Sequence, residues 1–245
     1  MSATVTAVEF VKRLEAHRSA EELEKIQRYF KSGEGEYGEG DVFMGVRMGQ
    51  VFALADEFKE MSPSEIEKLL ESPIHEVRAG GVKIMAKQAA SKKTADSRRN
   101  ELFDLYLRRH DRINNWDLVD LGAWDVIGRY LADKPRDVLY ELARSTNVWE
   151  RRTAILSTMA FVRRGDLDDA FTIAELLLND DHDLIHKAVG WALRAAGGHD
   201  RERLVRFLDA HAATMPRIAL RNALEHFDKT ERDHYLNKRK AASRG

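Results

Sequence analysis

Five positions, each near the start of a similar helical pattern, recur along this sequence at intervals of 38, 35, 35 and 30 residues. They are Ala79, Asp117, Arg152, Lys187 and Arg217. Four of the surrounding segments share a cation, then small residues, then an apolar stripe at helical spacing: VRAGGVKIM, RRTAILSTM, HKAVGWALR and PRIALRNAL. A period of this length predicts helical hairpins that bury their apolar faces against one another in a stack.

The repeat predicts an all-α fold, a curved α-solenoid of six or seven hairpins of the HEAT or armadillo kind. Composition favours the same class, because 33% of the residues are charged and only four are proline, which suits amphipathic helices better than sheets. The predicted helices are joined by connections of a few residues, so we predict one repeat domain over residues 1–235. Residues 236–245 are basic and poor in apolar side chains, which predicts a frayed tail.

A glycine-rich segment at residues 32–42 interrupts the helical pattern near the amino terminus. Glycine-rich loops can cradle phosphates, but no GKS or GKT follows this one. Its acidic side chains, Glu34, Glu36, Glu39 and Asp41, would also repel an anion. We therefore predict a structural turn here.

Several classes of site and location are disfavoured by what the sequence lacks. The chain has no cysteine, which removes disulfides, thiolate nucleophiles and cysteine-based metal sites. The histidines of HDLIH, His182 and His186, have no glutamate between them as a metalloprotease helix would, so we expect neither a metal nor another cofactor.

No apolar run approaches the ~20 residues of a membrane helix, and the first residues lack the apolar core of a secretion signal. A cytoplasmic location is expected.

Charge is distributed unevenly along the chain. Residues 1–76 hold 9 Lys or Arg against 16 Asp or Glu, whereas residues 77–245 hold 31 against 25. The net charge of −1 therefore hides a moderately basic body behind an acidic start. An anionic partner for that body remains compatible with the composition.

One predicted helix carries a cation, an aromatic ring and a second cation on one face. Lys187, Trp191 and Arg194 stand at i, i+4 and i+7, which places them on one stripe. Such a stripe suits nucleic acid, because cations neutralise phosphates and an indole offers a flat face to sugar or base. The alternative is that Trp191 packs between repeats while the cations extend into solvent.

A carboxylate and an indole lie one turn apart in the segment NNWDLVD. Trp116 and Asp120 are i, i+4 neighbours, and Asp120 lies beyond the first turn, where helix capping would not account for it. Asp117 suits a capping or dipole role. In the next repeat, alignment selects Arg152 rather than Arg151 to face the same groove, with an intramolecular ion pair as the alternative.

These segments resemble the AlkD family of HEAT-like DNA alkylation repair proteins. NNWDLVD, WERRTAIL and HKAVGWALR occur in the order and spacing of that family, and the resemblance covers most of the chain. RYFKSGEGEYGEGDVFMGVR is similar to the family's amino-terminal signature, with an aromatic residue, Tyr29, near the end of the second helix.

The resemblance implies a DNA glycosylase that hydrolyses the N-glycosidic bond of N3- or N7-alkylated, positively charged purines in duplex DNA. It implies that Asp120 is the catalytic aspartate and that Trp116 and Trp191 line the site. It implies a monomer that uses no metal and no cofactor. Family members act on a lesion that stays stacked in a duplex lying along the concave surface.

The resemblance also implies a set of DNA contacts. Arg152 matches an arginine beside the DNA backbone, Tyr29 matches a tyrosine near the lesion, and Lys187 and Arg194 occupy positions compatible with phosphate contact. Two alternatives stay open, because a fold does not fix an activity. One is a noncatalytic protein that binds damaged or branched DNA, and the other is a HEAT scaffold that binds protein.

Overall fold

The regular secondary structure of this chain is helical. A computed structural model describes residues 5–30, 33, 36 and 38–242, and within them one isolated parallel bridge joins Val42 to Ile74. The prediction of an all-α fold built from helical repeats is confirmed. Parts of two predicted segments lie outside the described residues: 32, 34, 35 and 37 of the glycine-rich turn, and 243–245 of the basic tail.

The chain divides into two compact units, Met1–Tyr130 and Leu131–Gly245. The helices of the first are α1 (Ala7–Glu15), α2 (Ala20–Tyr29), α3 (Met48–Glu57), α4 (Pro63–Leu70), α5 (His75–Ala90), α6 (Asp96–Arg108) and α7 (Trp116–Gly122), with a 3-10 turn at His110–Arg112 and a π-helix at Ala123–Gly128. After α8 (Arg129–Leu131) come α9 (Asp137–Ala143), α10 (Val148–Ser157), α11 (Met159–Val162), α12 (Asp168–Leu176), α13 (Asp183–His199), α14 (Arg201–His211), α15 (Arg217–Ala223) and α16 (Lys229–Ala242). Helix α16 therefore continues into the segment predicted to be a frayed tail.

Side-chain caps determine where several helices begin. Ser62 accepts a hydrogen bond from the backbone N–H of Glu65 at 3.4 Å and starts α4, as its SPSE sequence predicts. Asn115 accepts from the backbone N–H of Trp116 at 2.8 Å and starts α7. The second cap matters for the site, because it fixes where α7 begins and therefore where Trp116 and, one turn later, Asp120 lie.

Helices α3, α5 and α7 lie side by side in the first unit and run in the same direction. At one end, His75 of α5 contacts Asp117 of α7, with 2.7 Å between Nε2 and Oδ2. At the other end, Lys87 of α5 pairs with Asp56 of α3 at 2.8 Å. The backbone N–H groups of residues 44–46, just before α3, donate to the fully buried carboxylate of Glu76 at 2.9 to 3.2 Å. The amino-terminal ends of all three helices therefore meet at one end of this layer.

One face of this layer is covered and the other is open. Helix α4 packs on α5, α6 packs on α5 and on the π-helix that follows α7, and the ring of Phe10 from α1 presses against Gly80 of α5. Nearly every side chain of α5 is buried, while Lys83 and Lys87 reach solvent. On α7 the exposed position is Asp120. Asp120 therefore lies on the open face of the layer, while Lys83 and Lys87 extend along α3 to Phe52 and Asp56.

In the second unit, α13 and α15 pack closely because α13 has glycine at the contact. A Cβ atom on Gly190 would lie 2.5 Å from the Cβ of Asn222 and 2.7 Å from the carbonyl oxygen of Ala219. The second of these is a backbone atom, which cannot move aside as the end of a flexible side chain can. Glycine at this position thus sets the distance between the two helices.

Replacing Gly190 by alanine should therefore destabilise the protein, even though alanine favours a helix. Overpacking of a close contact costs ~1–3 kcal/mol, which exceeds the gain in helix propensity of ~1 kcal/mol. Gly198→Ala in the same helix is the matched control, since nothing lies within 4 Å of a Cβ there. Urea unfolding should show a lower midpoint for Gly190→Ala and an equal or higher one for Gly198→Ala. Equal midpoints for the two variants would contradict the close contact.

Candidate nucleic-acid interface

Aromatic side chains gather at the amino-terminal end of α7. The ring of Tyr29, the last residue of α2, lies 5.8 Å from the ring of Trp116 in an edge contact. The ring of Phe30 stacks on the ring of Trp116, with their centroids 5.6 Å apart. Phe30 is buried, while Tyr29 is 64% exposed. Two of the residues predicted from the resemblance, Tyr29 and Trp116, are thus in contact within the first unit.

A cavity of about 490 Å³ opens beside this aromatic group. Its wall includes Tyr29, Phe30, Trp116 and Met48, and its rim carries charged side chains from α2 and the start of α3. The rim charges are paired, because Arg47 donates to Glu22 at 2.7 Å and Lys25 donates to it at 3.1 Å. The cavity therefore offers a largely aromatic and apolar surface.

The two aspartates of NNWDLVD occupy different environments. Asp120 is exposed, one helical turn beyond Trp116 on the open face of the layer. Asp117 is partly buried and contacts His75, so it is committed to the interior. The structure thus separates an exposed carboxylate from a structural one. The capping role expected of Asp117 falls to Asn115, and Asp117 pairs with His75.

Arg152 lies in the interior of the second unit. It is 1% exposed, its Nη1 donates to the carbonyl oxygen of Leu184 at 2.5 Å, and its guanidinium carbon lies 5.4 Å from the ring of Trp191. The alignment of repeats had selected Arg152 to face a groove. Arg151, which the alignment set aside, forms a bidentate ion pair with Asp180 at 2.6 and 3.2 Å.

The stripe predicted on α13 reaches the surface of the second unit. Lys187 is exposed and Trp191 is partly exposed. Arg194 pairs with Glu225 and keeps 27% of its side chain exposed. Trp191 therefore has one side against Arg152 and another that solvent reaches. The contact between Trp191 and Arg152 agrees with the alternative in which Trp191 packs inside the fold and the cations of the stripe extend into solvent.

A buried charged cluster links the glycine-rich segment to the start of α7, and sequence reasoning missed it. His75 is fully buried, with Asp117 on one side at 2.7 Å and Asp41 on the other, 3.7 Å from Nδ1. Arg78 donates to the second oxygen of Asp41 at 2.6 Å, and the side-chain amide of Asn115 donates to Asp41 at 2.8 Å. The cluster thereby fixes residues that stand far apart in the sequence.

The charge state of this cluster follows from its geometry. Burial lowers the pKa of His75, but the carboxylates of Asp117 and Asp41 more than offset this and raise it to about 9. Burial raises the pKa of Asp41, yet the nearby imidazolium of His75, the hydrogen bond from Asn115 and the charge of Arg78 leave it below its usual value. His75 is therefore an imidazolium at neutral pH. Its contacts hold α7 and its aromatic neighbour in place.

The histidine pair of HDLIH is used for local structure. The ring of His182 accepts from the backbone N–H of Leu184 at 3.1 Å and starts α13. His186 lies 2.5 Å from the carbonyl oxygen of Asp180 and 3.3 Å from Asp183. Across the described part of the chain, no three His, Asp or Glu side chains are grouped so as to hold a metal ion. No helix in that part is both long and apolar enough to span a membrane.

The fold is that of an all-α protein built from stacked helical repeats. A solved structure from Enterococcus faecalis, described as a predicted DNA alkylation repair enzyme, shares it with a TM-score of 0.67 at 16% sequence identity, over 87% of this chain and 98% of that one. The family model described as "DNA alkylation repair enzyme" matches residues 10–227, and the chain belongs to that family. No curated protein matches the sequence significantly. Family membership identifies DNA as the partner and confirms the resemblance seen in the sequence.

Proposed function

We propose that this protein is a DNA glycosylase that removes positively charged N3- or N7-alkylated purines from duplex DNA. The observation that carries the proposal is the exposed carboxylate of Asp120, one helical turn from an aromatic group on the open face of a helical layer. A carboxylate on such a surface repels DNA phosphates, so its presence in a DNA repair enzyme favours a role in chemistry. We further propose that the protein acts as a monomer in the cytoplasm, without a metal or cofactor.

The chemistry needs few groups because the lesion activates itself. Alkylation at N3 or N7 gives the purine a positive charge, so it leaves as a neutral base when the bond to the sugar C1′ breaks. No general acid is then required. Positive charge develops on the sugar, as in glycoside hydrolysis. Asp120 stabilises that charge and orients or deprotonates the water that adds to C1′.

The aromatic side chains suit the same charge distribution. The faces of Trp116 and Trp191 carry negative electrostatic potential, which favours a cationic sugar or base by ~0.5–2 kcal/mol per contact. Tyr29 extends the aromatic surface next to Trp116. A neutral lesion lacks both the activated bond and this attraction, so it is a poor substrate.

Binding of the DNA backbone falls to exposed cations. Lys187 is exposed on the stripe that carries Trp191, and Arg194 is partly exposed there, so both suit phosphate contact. Arg152 donates to the backbone of α13 and packs against Trp191, so it holds that ring in position. The resemblance also implies a phosphate contact for Arg152, and that contact would require its guanidinium, which is 1% exposed, to leave the interior.

The test is single-turnover release of base from a duplex that carries one lesion. We expect release of N7-methylguanine and N3-methyladenine, and little release of hypoxanthine, which is neutral. Release of all three at similar rates would contradict activation by lesion charge. Intact lesions together with salt-dependent DNA binding would indicate a noncatalytic DNA-binding protein, and loss of DNA binding as well would indicate a protein scaffold.

A further inference from the structure

A third aromatic residue, Trp124, stands one helical turn after Asp120, outside the motifs found in the sequence. Trp116, Asp120 and Trp124 follow one another at intervals of four residues, so an indole lies one turn before the carboxylate and another lies one turn after it. Positions 118, 119, 122, 123, 126 and 127 are buried, whereas Asp120 is exposed and both tryptophans are partly exposed. Trp124 therefore reaches solvent on the face of the helix that carries Asp120.

The π-helix at Ala123–Gly128 keeps Trp124 on that face. In a regular α-helix of about 3.6 residues per turn, eight residues rotate roughly 80° beyond two full turns, which would move Trp124 away from the line through Trp116 and Asp120. In a π-helix each hydrogen bond spans five residues, as between the N–H of Arg129 and the carbonyl oxygen of Trp124, so the chain turns less per residue. The π-helix thus reduces the drift and holds both indoles on one stripe with Asp120. Such helices are rare and occur frequently at functional sites.

The rings of the two tryptophans lie over different turns. Helical side chains lean toward the amino terminus of their helix. Trp116 follows this rule, because its ring contacts Tyr29 and Phe30 at the start of α7, with centroids 5.8 and 5.6 Å away. By the same rule, the ring of Trp124 leans over the preceding turn, which holds Asp120. Trp124 is therefore the indole that covers the turn of the exposed carboxylate.

The second acidic side chain of this stretch is already paired. Asp125 accepts a hydrogen bond from the guanidinium Nε of Arg129 at 2.5 Å, across the π-helical turn. Its charge is compensated locally, so a cation near Trp124 meets the carboxylate of Asp120 first.

We infer that the face of Trp124 contacts the deoxyribose of the alkylated nucleotide and stabilises the positive charge that develops on it. The inference rests on the proposed function, in which the sugar C1′ lies beside Asp120. Four helical residues advance the chain by about 6 Å, so one sugar can contact both Asp120 and the ring one turn later. The sugar is neutral in intact DNA and cationic in the transition state. An indole face attracts a cation, so Trp124 acts on bond breaking much more than on binding.

The experiment measures single-turnover release of N7-methylguanine over a series of enzyme concentrations, which separates the maximal rate from the half-saturating concentration. Trp124→Leu keeps an apolar side chain without a π face, so the maximal rate should fall by about 5- to 30-fold while the half-saturating concentration changes by less than about twofold. Trp124→Phe keeps an aromatic face and should stay within about threefold of the wild-type rate. Phe103→Leu is the matched control, because Phe103 is a partly exposed ring on the covering helix α6, stacked on Tyr130 at 4.4 Å. The control should match the wild type.

A second readout does not depend on base release. A duplex whose target nucleotide is replaced by a positively charged pyrrolidine resembles the sugar cation, and a tetrahydrofuran in the same place is its neutral counterpart. The wild type and Trp124→Phe should prefer the pyrrolidine duplex. Trp124→Leu should lose about 5- to 30-fold of that preference.

Three outcomes would overturn the inference. Release by Trp124→Leu at the wild-type rate would remove the sugar contact and leave the glycosylase proposal standing. Equal losses of rate in Trp124→Leu and Trp124→Phe, with a lower midpoint of urea unfolding for both, would assign the ring to packing of the π-helix. A wild-type protein that releases no base would end the proposed function and this inference with it.

Discussion

Replacing Asp120 by asparagine should lower single-turnover base release by about 10²–10³-fold while DNA binding stays near the wild-type level. Asparagine keeps the size of the side chain and removes its charge, so the sugar cation loses its main stabilising partner. The loss of one such interaction is worth ~3–4 kcal/mol of transition-state stabilisation. Asp120 is exposed, so the substitution should change stability by less than ~0.5 kcal/mol.

The measurement uses enzyme in excess over a duplex that carries N7-methylguanine, so that the observed rate reports chemistry instead of product release. Asp111→Asn is the matched control, because Asp111 is 63% exposed on the 3-10 turn before α7. The control should release base at the wild-type rate. If Asp120→Asn also does so, another group supports the reaction and the mechanism proposed above is wrong.

The sequence predicted the helical architecture because its signals are local. The apolar periodicity of each hairpin and the capping pattern of SPSE are read within a few residues, and Ser62 caps α4 as expected. The π-helix after α7 was missed. A Cβ atom on Gly122 would lie 2.6 Å from the ring of Tyr106 and 2.8 Å from Val82, so the chain there is shaped by packing against other helices.

The candidate site was only partly predictable. Helical spacing was enough to place Trp116 and Asp120 one turn apart. It did not predict the pairing of Asp117 with His75, because His75 lies 42 residues earlier in the sequence. The burial of Arg152 depends on the approach of α13, which no pattern within α10 encodes. The partners of His75 come from both sides of it in the sequence, at Asp41 and at Asp117, and only the folded chain brings them together.

The cluster around His75 should make the stability of the protein depend on pH above neutrality. The pKa of His75 is raised from 6.5 to about 9, so the folded state binds the proton more tightly than the unfolded state does. The resulting stability is fully present below pH ~6.5 and is lost as the pH rises through ~9. A shift of this size corresponds to roughly 3 kcal/mol. The groups that face the imidazolium are Asp117 and Asp41, and Arg78 is bound to Asp41.

His75→Gln should therefore lower the free energy of unfolding by roughly 3 kcal/mol at pH 6 and remove most of its decline between pH 6.5 and 9.5. Glutamine can still donate a hydrogen bond, but it carries no charge. The carboxylates of Asp41 and Asp117 then have Arg78 as their one remaining cation in the cluster. Urea titrations at several pH values measure the effect. His199→Gln, at an exposed position in α13, should decline with pH as the wild type does. A His75→Gln protein with the wild-type decline would show that another group titrates, because the loss of the imidazolium removes the proton on which this dependence rests.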